Sequence, residues 1–307
     1  MTYLIISPCR NEAKFMRKTL DSVISQSILP TKWIIVDDGS TDETPDIIAE
    51  YTRKHDWISV VTNENRGARA VGPGVIEAFY KGYDTINPKD FDYICKLDMD
   101  LILKPDYFKL LMQEMVKNPR LGCFSGKPYF IENDREVSEK CGDEMCVGAS
   151  KFYRLECFEE IGGFVREVMW DAIDCHKARY LGWIARSSDD ETIRFIHLRP
   201  MGSSQKGILT GRMRHGYGQY YMGSSILYFM ATAVYRMVRP PYIIGGFAMA
   251  WGFLKSLLTR EARQRDKELI KFIRSYQRRA LIVGKKKAVD EINQAKLTLW
   301  KRKHENA

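Results

Sequence analysis

Short apolar runs alternate with segments of helical spacing over the first 130 residues, and this alternation constrains the fold more than any other feature. Short runs suit buried strands, whereas apolar residues three and four positions apart suit amphipathic helices. The strand-like runs are Tyr3–Ser7, Trp33–Asp37, Ile58–Thr62, Phe91–Leu97 and Leu121–Tyr129. Helical spacing is seen over Lys14–Ser25 and Thr44–Arg53. Such alternation is typical of βαβ units, so the sequence predicts an α/β fold with a mainly parallel sheet.

Two carboxylates separated by one residue, Asp98 and Asp100, follow the apolar run Phe91–Cys95. If that run is a buried strand, the two side chains can converge at the carboxyl edge of the sheet, where open α/β sheets bind ligands. Carboxylate oxygens suit Mg²⁺ or Mn²⁺ that bridges a diphosphate. The same triplet is also typical of a solvated turn, so its assignment depends on the rest of the chain.

Charge is distributed unevenly along the chain. Residues 1–258 hold 33 basic and 33 acidic side chains, whereas residues 259–307 hold 15 basic and 6 acidic ones, which accounts for the net charge of +9. A basic region after a neutral body indicates an anionic partner, either a membrane surface or a nucleic acid. Because the body is neutral, we expect the membrane surface and no nucleic acid.

The cysteines indicate a reducing compartment. There are seven, odd in number and irregularly spaced, as expected for free thiols in the cytoplasm. Cys141 and Cys146 with His176 raise the alternative of a zinc site, but no C-x-x-C pair is present. The first residues have no basic leader, so we expect a first strand there and not a signal peptide. The predicted location is cytoplasmic, peripheral at the cytoplasmic face of the inner (plasma) membrane.

The C-terminal third predicts two kinds of helix, one apolar and one basic and amphipathic. Residues 213–258 contain two apolar windows, Ile226–Tyr235 and Tyr242–Leu254, separated by Arg239-Pro240-Pro241. A 13-residue helix spans about 20 Å, short of the roughly 30 Å hydrocarbon core, so a helical hairpin in the membrane interface fits better than a spanning helix. The alternative is a buried helical pair. Residues 259–307 predict a basic, amphipathic helical tail, with helical spacing of apolar residues over Ala262–Val283.

Six motifs occur in a recognisable order. They are Pro8-Cys9-Arg10-Asn11-Glu12, Val36-Asp37-Asp38-Gly39-Ser40-Thr41-Asp42, Asn65-Arg66-Gly67, Asp98-Met99-Asp100, Gly162-Gly163-Phe164, and Trp170-Asp171 before a helix ending Leu181-Gly182-Trp183. Over roughly residues 1–200 the chain resembles the family 2 glycosyltransferases of bacterial exopolysaccharide and surface-glycan synthesis. The resemblance implies the GT-A fold, a Rossmann-like mixed sheet that binds a nucleotide sugar.

With the resemblance, the sequence predicts three regions. Residues 1–212 form the GT-A domain, with a nucleotide-binding half over about 1–100 and an acceptor half over about 101–212. Residues 213–258 form the apolar helical hairpin, and residues 259–307 form the basic tail.

The resemblance also implies which side chains bind the substrates. These are Pro8, Arg10, Glu12, Asp38, Arg66, Arg69, Asp98, Trp170, Arg212 and Arg214. Asp38 would contact uracil, Glu12 would contact the nucleoside, and the four arginines after Asp38 would reach phosphates. The alternatives are a plain turn for Asp37–Ser40, a first-turn helix charge for Glu12, and solvated cations for the arginines.

A divalent cation, Mg²⁺ or Mn²⁺, is implied at Asp98, Asp100 and His197, with the ribose as the alternative ligand of the two aspartates. The cation would neutralise the negative charge that develops on the leaving diphosphate. For His197, which ends the strand-like run Phe195–His197, a satisfied histidine at a strand end is the alternative. The Q-x-x-R-W motif of processive relatives is absent at Arg212–Gly216, which argues against a polymer synthase.

Asp171 is the predicted general base. In the family, a carboxylate of an acidic-Asp pair opens the helix after Gly-Gly-Phe and deprotonates the acceptor hydroxyl, whereas here Trp170 replaces the acidic partner. Asp174 is the second choice, and a helix N-cap is the structural alternative for Asp171.

The predicted activity is therefore inverting, metal-dependent transfer of a sugar from a nucleotide-diphosphate sugar, with a UDP-sugar as the first candidate, to a hydroxyl of a saccharide or lipid-linked saccharide. The missing acidic partner leaves open a non-catalytic nucleotide-sugar-binding protein on the same scaffold.

Overall fold

The computed structural model describes residues 1–65, 67, 72–199 and 207–305. Its contacts divide the chain into two compact units. Unit one comprises Met1–Arg166 and Trp183–Pro200, and unit two comprises Glu167–Gly182 and Met201–Ala307. The intervening segment Glu167–Gly182 thus groups with the C-terminal helices, although the sequence had placed it inside the 1–212 domain. That functional division stays a prediction.

Unit one contains two sheets. Their strands are β1 (Tyr3–Cys9), β2 (Lys32–Asp37), β3 (Ile58–Thr62), β4 (Tyr93–Leu97), β5 (Leu101–Ile102), β6 (Leu121–Gly126), β7 (Pro128–Glu132), β8 (Arg135–Ser138), β9 (Ser150–Arg154), β10 (Ile184–Ser188) and β11 (Phe195–His197). The large sheet has the order β10-β6-β9-β4-β1-β2-β3, and β9 runs antiparallel to β4 and β6. The small sheet has the order β5-β11-β7-β8. A mixed α/β sheet is therefore confirmed.

Burial explains why the N-terminal strands could be predicted from the sequence. Tyr3–Ile6 of β1 and Trp33–Val36 of β2 are fully buried. Parallel strands are covered on both faces, so their sequences are continuous apolar runs. The predicted single run Leu121–Tyr129 was wrong, since it forms β6 and β7 in different sheets. The chain leaves the large sheet at Lys127, and Pro128 has no N–H with which to continue the first ladder.

The helices of unit one are α1 (Met16–Ile24), α2 (Thr44–Lys54), α3 (Pro73–Tyr83), α4 (Tyr107–Lys117) and α5 (Leu155–Glu160). The two helical segments predicted before residue 54 are thereby confirmed. Tyr107, Phe108 and Leu111 on α4 pack into one core cluster with Tyr3 and Phe152 from the strands. This core fixes the sheet, and the sheet fixes the loops at its carboxyl edge.

The helices of unit two are α6 (Trp170–Leu181), α7 (Ile208–Tyr221), α8 (Ile226–Met237), α9 (Ile244–Leu258), α10 (Lys267–Val283), α11 (Lys285–Ala295) and α12 (Leu297–His304). The predicted amphipathic helix begins at Lys267 instead of Ala262, because Asp266 caps it: its Oδ1 accepts a hydrogen bond from the Leu269 N–H at 2.9 Å. Leu269, Ile273 and Tyr276 form the buried face.

The predicted apolar hairpin corresponds to α8 and α9. The two helices contact each other, and α9 also packs along α7. Their outer faces remain open, with Leu227 on α8 67% exposed and Phe247 and Trp251 on α9 62% and 55% exposed. The helical pair is therefore buried on one side and open on the other, and its contact with a membrane stays a prediction. Within the described ranges, no helix combines the length and hydropathy that crossing a membrane requires.

Glycines allow α7 and α9 to approach closely. A Cβ on Gly216 of α7 would lie 2.0 Å from the Met249 carbonyl oxygen, and a Cβ on Gly252 of α9 would lie 2.0 Å from the Met213 carbonyl oxygen. Both obstacles are backbone atoms, so a side chain at either position must push the helices apart.

We expect Gly216→Ala to destabilise the protein by about 1–3 kcal/mol, the usual cost of overpacking. Gly211→Ala is the matched control, because Gly211 lies on the same helix and its added Cβ would meet no atom of the described residues within 4 Å. There the gain in helix propensity is expected to stabilise by up to about 1 kcal/mol. Thermal unfolding of the full chain measures both changes. Equal melting temperatures for the two variants would contradict the close helix contact.

Candidate active site

The carboxyl ends of β1 and β2 bring together the first predicted side chains. The pairing of these strands places Pro8 beside Val36 and Cys9 beside Asp37. Arg10, 7% exposed, donates hydrogen bonds from Nη1 to the Asp38 carbonyl and from Nη2 to Asn65 Oδ1 at 2.6 Å. Arg10 therefore ties the loop after β1 to the loops after β2 and β3, and a role in contacting substrate stays a prediction.

The segment after β2 is a turn, and Asp37 and Asp38 have different functions in it. Asp37 Oδ1 accepts a hydrogen bond from the Ser40 N–H at 2.9 Å. Gly39 has φ +73°, and a Cβ there would lie 2.5 Å from Asn65 Cα. Asp38 Oδ1 instead accepts from Asn63 Nδ2 at 3.1 Å. The turn interpretation thus holds for Asp37, while the carboxylate of Asp38 is held at the sheet edge by a neighbouring loop.

Glu12 lies at the same edge and is 3% exposed. Its N–H donates to Thr44 Oγ1 at 2.8 Å, and its carbonyl oxygen accepts from Phe15 and Met16 before α1 begins. The first turn of α1 contains no acidic residue, so the interpretation of Glu12 as a first-turn helix charge is wrong. Its carboxylate instead accepts a hydrogen bond from Arg199 Nη2 at 2.6 Å.

Asp98 and Asp100 leave β4 in different environments. Asp98 pairs with Lys96 Nζ, and its side chain is 33% exposed. The Asp100 side chain is 3% exposed, and its Oδ2 lies 2.5 Å from Arg199 Nε and 3.4 Å from His197 Nε2. Asp100 Oδ1 is buried and accepts no hydrogen bond from any described residue. A buried carboxylate oxygen without a donor is a natural position for a cation.

His197 reaches this site because β11 pairs with β5, which places it directly opposite Leu101. Its Nδ1 lies 2.8 Å from Glu139 Oε2, so the imidazole bridges Glu139 and Asp100. Burial lowers the pKa of His197, but hydrogen bonds and charge from Asp100 and Glu139 outweigh that effect and raise the pKa to about 9. His197 thus ends its strand with two acidic partners, and its role at a metal stays a prediction.

Burial raises the pKa of Asp100, but hydrogen bonding from His197 and the charge of Arg199 more than offset that effect, so the pKa lies below its usual value. Asp100 is therefore held as a carboxylate.

Asp98, Asp100 and His197 have ligand atoms that suit a divalent cation, but these atoms are too far apart to coordinate one ion together. Carboxylate oxygens suit Mg²⁺ or Mn²⁺, and Asp100 Oδ1 is available. However, the ligand atoms of Asp98, Asp100 and His197 do not all lie within 4.8 Å of one another. Arg199 and His197 already supply positive charge to Asp100. A cation at Asp100 must therefore share or displace these partners.

Sequence reasoning missed Arg199 and Glu139. Arg199 contacts both Glu12 and Asp100, which are 88 residues apart in the chain. A weak signal was present, because Arg199 follows His197 by two positions and alternate residues of an extended chain share a face. Glu139 had no such signal, since it reaches His197 only through the pairing of β7 with β11 and β8.

In unit two, α6 presents the predicted base. Asp171 lies in the first turn of α6 and is half-buried, whereas Asp174 is 1% exposed. The N-cap is Met169, in the left-handed region at φ 65°, and no side chain caps the helix. The N-cap interpretation of Asp171 is therefore wrong. Trp170, 9% exposed, begins the helix, and Asp171 is more accessible than Asp174.

The remaining predicted arginines fall into two groups. Arg66 and Arg69 lie outside the described residues. Arg212 and Arg214 are both on α7, where Arg212 Nη2 donates to the Pro240 carbonyl oxygen at 3.3 Å and burial lowers the pKa of Arg214. Their predicted contact with phosphates stays a prediction.

Comparison with known proteins agrees with the geometry. Residues 4–144 match the family model described as glycosyl transferase family 2. Poly-beta-1,6-N-acetyl-D-glucosamine synthase of Staphylococcus epidermidis is 34% identical over 121 residues, which cover 39% of this chain and 27% of that synthase. This chain therefore matches only about a quarter of the length of that relative.

Two solved structures share the fold. One is the mannosyltransferase PcManGT from Pyrobaculum calidifontis in complex with GDP-Man and Mn²⁺, with TM-score 0.51, 18% identity, and coverage of 98% of this chain and 86% of that one. The other is Staphylococcus aureus TarS 1-349 in complex with UDP-GlcNAc, with TM-score 0.52, 15% identity, and coverage of 100% and 92%. Residues 4–144, which make up 141 of the 307 residues, are thus the part of this chain that is similar to glycosyl transferase family 2.

Proposed function

We propose that this protein is an inverting, metal-dependent glycosyltransferase that moves a sugar from a nucleotide-diphosphate sugar, with a UDP-sugar as the first candidate, to an acceptor hydroxyl. The observation that carries the proposal is the cluster of Glu12, Asp100, His197 and Arg199 at the carboxyl edge of the sheet. This edge is where α/β sheets bind nucleotides.

The donor half of the reaction requires charge neutralisation. Asp98 and Asp100 would hold Mg²⁺ or Mn²⁺, which lowers the cost of negative charge on the departing diphosphate. Arg199 is suited to the same task, because its guanidinium can exchange carboxylate oxygens for phosphate oxygens of similar geometry. The Mn²⁺ and GDP-Man in the mannosyltransferase structure support a divalent cation and a nucleotide-sugar donor.

The acceptor half requires a proton acceptor. Asp171 would take the proton from the acceptor hydroxyl as its oxygen attacks C1 of the sugar from the face opposite the diphosphate. The C1–O bond to the diphosphate breaks as the new glycosidic bond forms, so the configuration at C1 inverts. The half-buried Asp171 in the first turn of α6 has the mixture of access and shielding that a general base needs.

The acceptor and the location are proposed from unit two. Leu227, Phe247 and Trp251 expose large apolar side chains, and the tail is basic. Such a surface suits the interface of an anionic bilayer, with the protein peripheral at the cytoplasmic face of the inner membrane. A lipid-linked saccharide in polysaccharide or surface-glycan biosynthesis is then the acceptor class that the protein would meet.

The direct test is a screen of UDP-, GDP- and dTDP-sugars for cation-dependent hydrolysis in the absence of acceptor. We expect one nucleotide sugar to be hydrolysed with Mn²⁺ or Mg²⁺, and hydrolysis to stop when the cation is chelated. Calorimetric binding of each free nucleotide identifies the base that is recognised. Hydrolysis that is unaffected by chelation would contradict metal dependence, and binding without turnover of any donor or acceptor would favour the non-catalytic alternative.

A further inference from the structure

A groove in unit two concentrates positive charge outside the candidate active site. It has a volume of about 960 Å³. Six cationic side chains line it, Arg263, Arg265, Lys267, Lys271, Arg274 and Arg278, and we call it the basic groove. Each of the six is exposed. No acidic side chain lines it.

The basic groove follows directly from the sequence of α10. Lys267, Lys271, Arg274 and Arg278 are spaced by four, three and four residues, which places them in one stripe along the helix. Leu269, Ile273 and Tyr276 occupy the opposite, buried face. The stripe is therefore held in a fixed direction by the packing of the helix.

Some other cations of the tail form ion pairs with carboxylates of the same region. Arg279 pairs with Glu291 at 2.6 Å, and Lys286 pairs with Asp290 at 3.2 Å. Among the described residues, none of the six groove cations forms an ion pair with a carboxylate. Like charges that are held together repel one another, so an anion that enters the groove gains the attraction of several cations at once.

Two of the cations are fixed by the fold and not by an anion. Arg274 Nε donates to the Gly223 carbonyl oxygen at 2.8 Å, which joins α10 to the turn between α7 and α8. The Arg263 guanidinium lies over the Tyr220 ring at 4.8 Å. The groove is thus partly organised before any ligand binds.

An apolar cavity adjoins the basic groove and shares its wall. This second cavity, about 310 Å³, is lined by Ser225, Arg263 and Arg274, as the first is, and also by Ile226, Phe253 and Leu257. Ile226 is 65% exposed and continues into the open face of α8 and α9. The residues shared by the two cavities therefore separate a cationic surface from an apolar one. The boundary between lipid head groups and acyl chains has the same arrangement.

We propose that the basic groove binds the phosphate head groups of anionic bilayer lipids, with the exposed faces of α8 and α9 in the adjoining apolar layer. A nucleic acid would match the charge but would leave the apolar faces in water. The inference rests on the proposed membrane location and is independent of the proposed sugar transfer.

The test compares two triple variants of the full chain that lose the same charge. The groove variant is Lys267→Gln, Lys271→Gln and Arg278→Gln, which spares the structural contacts of Arg263 and Arg274. The control variant, from the basic runs of the tail, is Lys285→Gln, Lys287→Gln and Arg302→Gln. Binding is measured by co-sedimentation with vesicles of phosphatidylcholine, with and without phosphatidylglycerol. Circular dichroism confirms that both variants are folded, and acceptor-free donor hydrolysis measures catalysis separately.

We expect the wild-type protein to bind vesicles that contain phosphatidylglycerol and to bind pure phosphatidylcholine weakly. Each lost cation near the surface should weaken binding about fivefold, so the groove variant should lose roughly 100-fold. The control variant should lose much less, and donor hydrolysis should be the same in all three proteins.

Five outcomes would overturn the proposal. Wild-type protein that binds neither vesicle would exclude the membrane location, without bearing on catalysis. A groove variant that binds as the wild type does, or a control variant that loses as much, would exclude the groove as the site. Displacement by millimolar inorganic phosphate would indicate a free phosphate ligand. Equal affinity for duplex DNA at the same salt would indicate a nucleic-acid partner.

Discussion

Asp171→Asn is expected to reduce sugar transfer by about 10²–10⁴-fold, the usual contribution of a positioned general base. Asparagine has nearly the same shape as aspartate but cannot accept the proton of the acceptor hydroxyl at neutral pH. Asp171 lies at the start of α6 without capping it, so the change removes no helix cap. We therefore expect a folded protein that binds UDP as the wild type does and transfers sugar very slowly.

Asp174→Asn is the matched variant, because it makes the same chemical change one helical turn further along α6. Asp174 is 1% exposed, which leaves little access for an acceptor. Transfer is measured with the donor found in the nucleotide-sugar screen, and UDP binding is measured by calorimetry. If Asp171→Asn transfers sugar as fast as the wild type, Asp171 is not the base. If only Asp174→Asn is inactive while it stays folded, the second choice is correct.

Asp100→Asn is expected to lower cation-dependent activity by at least about 10²-fold. The cation contributes several kcal/mol of transition-state stabilisation, and each 1.36 kcal/mol is tenfold in rate. The change also leaves Arg199 and His197 without their shared carboxylate. Breaking a buried ion pair on one side typically costs about 3–5 kcal/mol, so a lower melting temperature is expected as well.

Mn²⁺ binding by calorimetry, in the presence of UDP, separates these two effects in the folded protein. Asp134→Asn is the control, since Asp134 is an exposed aspartate of unit one in the turn between β7 and β8. Its left-handed backbone, φ 59°, is one that asparagine adopts readily. We expect Asp134→Asn to keep wild-type Mn²⁺ affinity and activity. Unchanged Mn²⁺ affinity in Asp100→Asn would remove Asp100 from the metal site.

The sequence predicted the fold correctly where a residue pattern is compatible with only one type of structure. Strands such as β1 and β2 are buried on both faces, so their apolar runs stood out. The run at Leu121–Tyr129 was misread because apolar composition does not show which sheet a strand joins. The boundary of α10 was missed by five residues because the cap at Asp266 is a local hydrogen bond that hydrophobic spacing does not report.

For the candidate site, the sequence predicted where the carboxylates lie but not which residues pair with them. Asp98 and Asp100 follow a strand, so their place at the sheet edge could be inferred from local sequence. That Arg199 bridges Asp100 and Glu12 could not, because the three residues meet only when β1, β4 and β11 are assembled. The same holds for Glu139 and His197.

The sequence by itself determined the α/β class, the edge of the sheet where the predicted side chains lie, and the basic, amphipathic character of the tail, because periodicity and charge are properties of neighbouring residues. Only the tertiary structure decided that Asp100 is buried, that one of its oxygens accepts no hydrogen bond from the described part of the chain, that Arg199 compensates its charge, and that α8 and α9 leave apolar faces open. Burial and pairing depend on which distant segments pack together, and that information lies in the assembled fold and not in any local stretch of the chain.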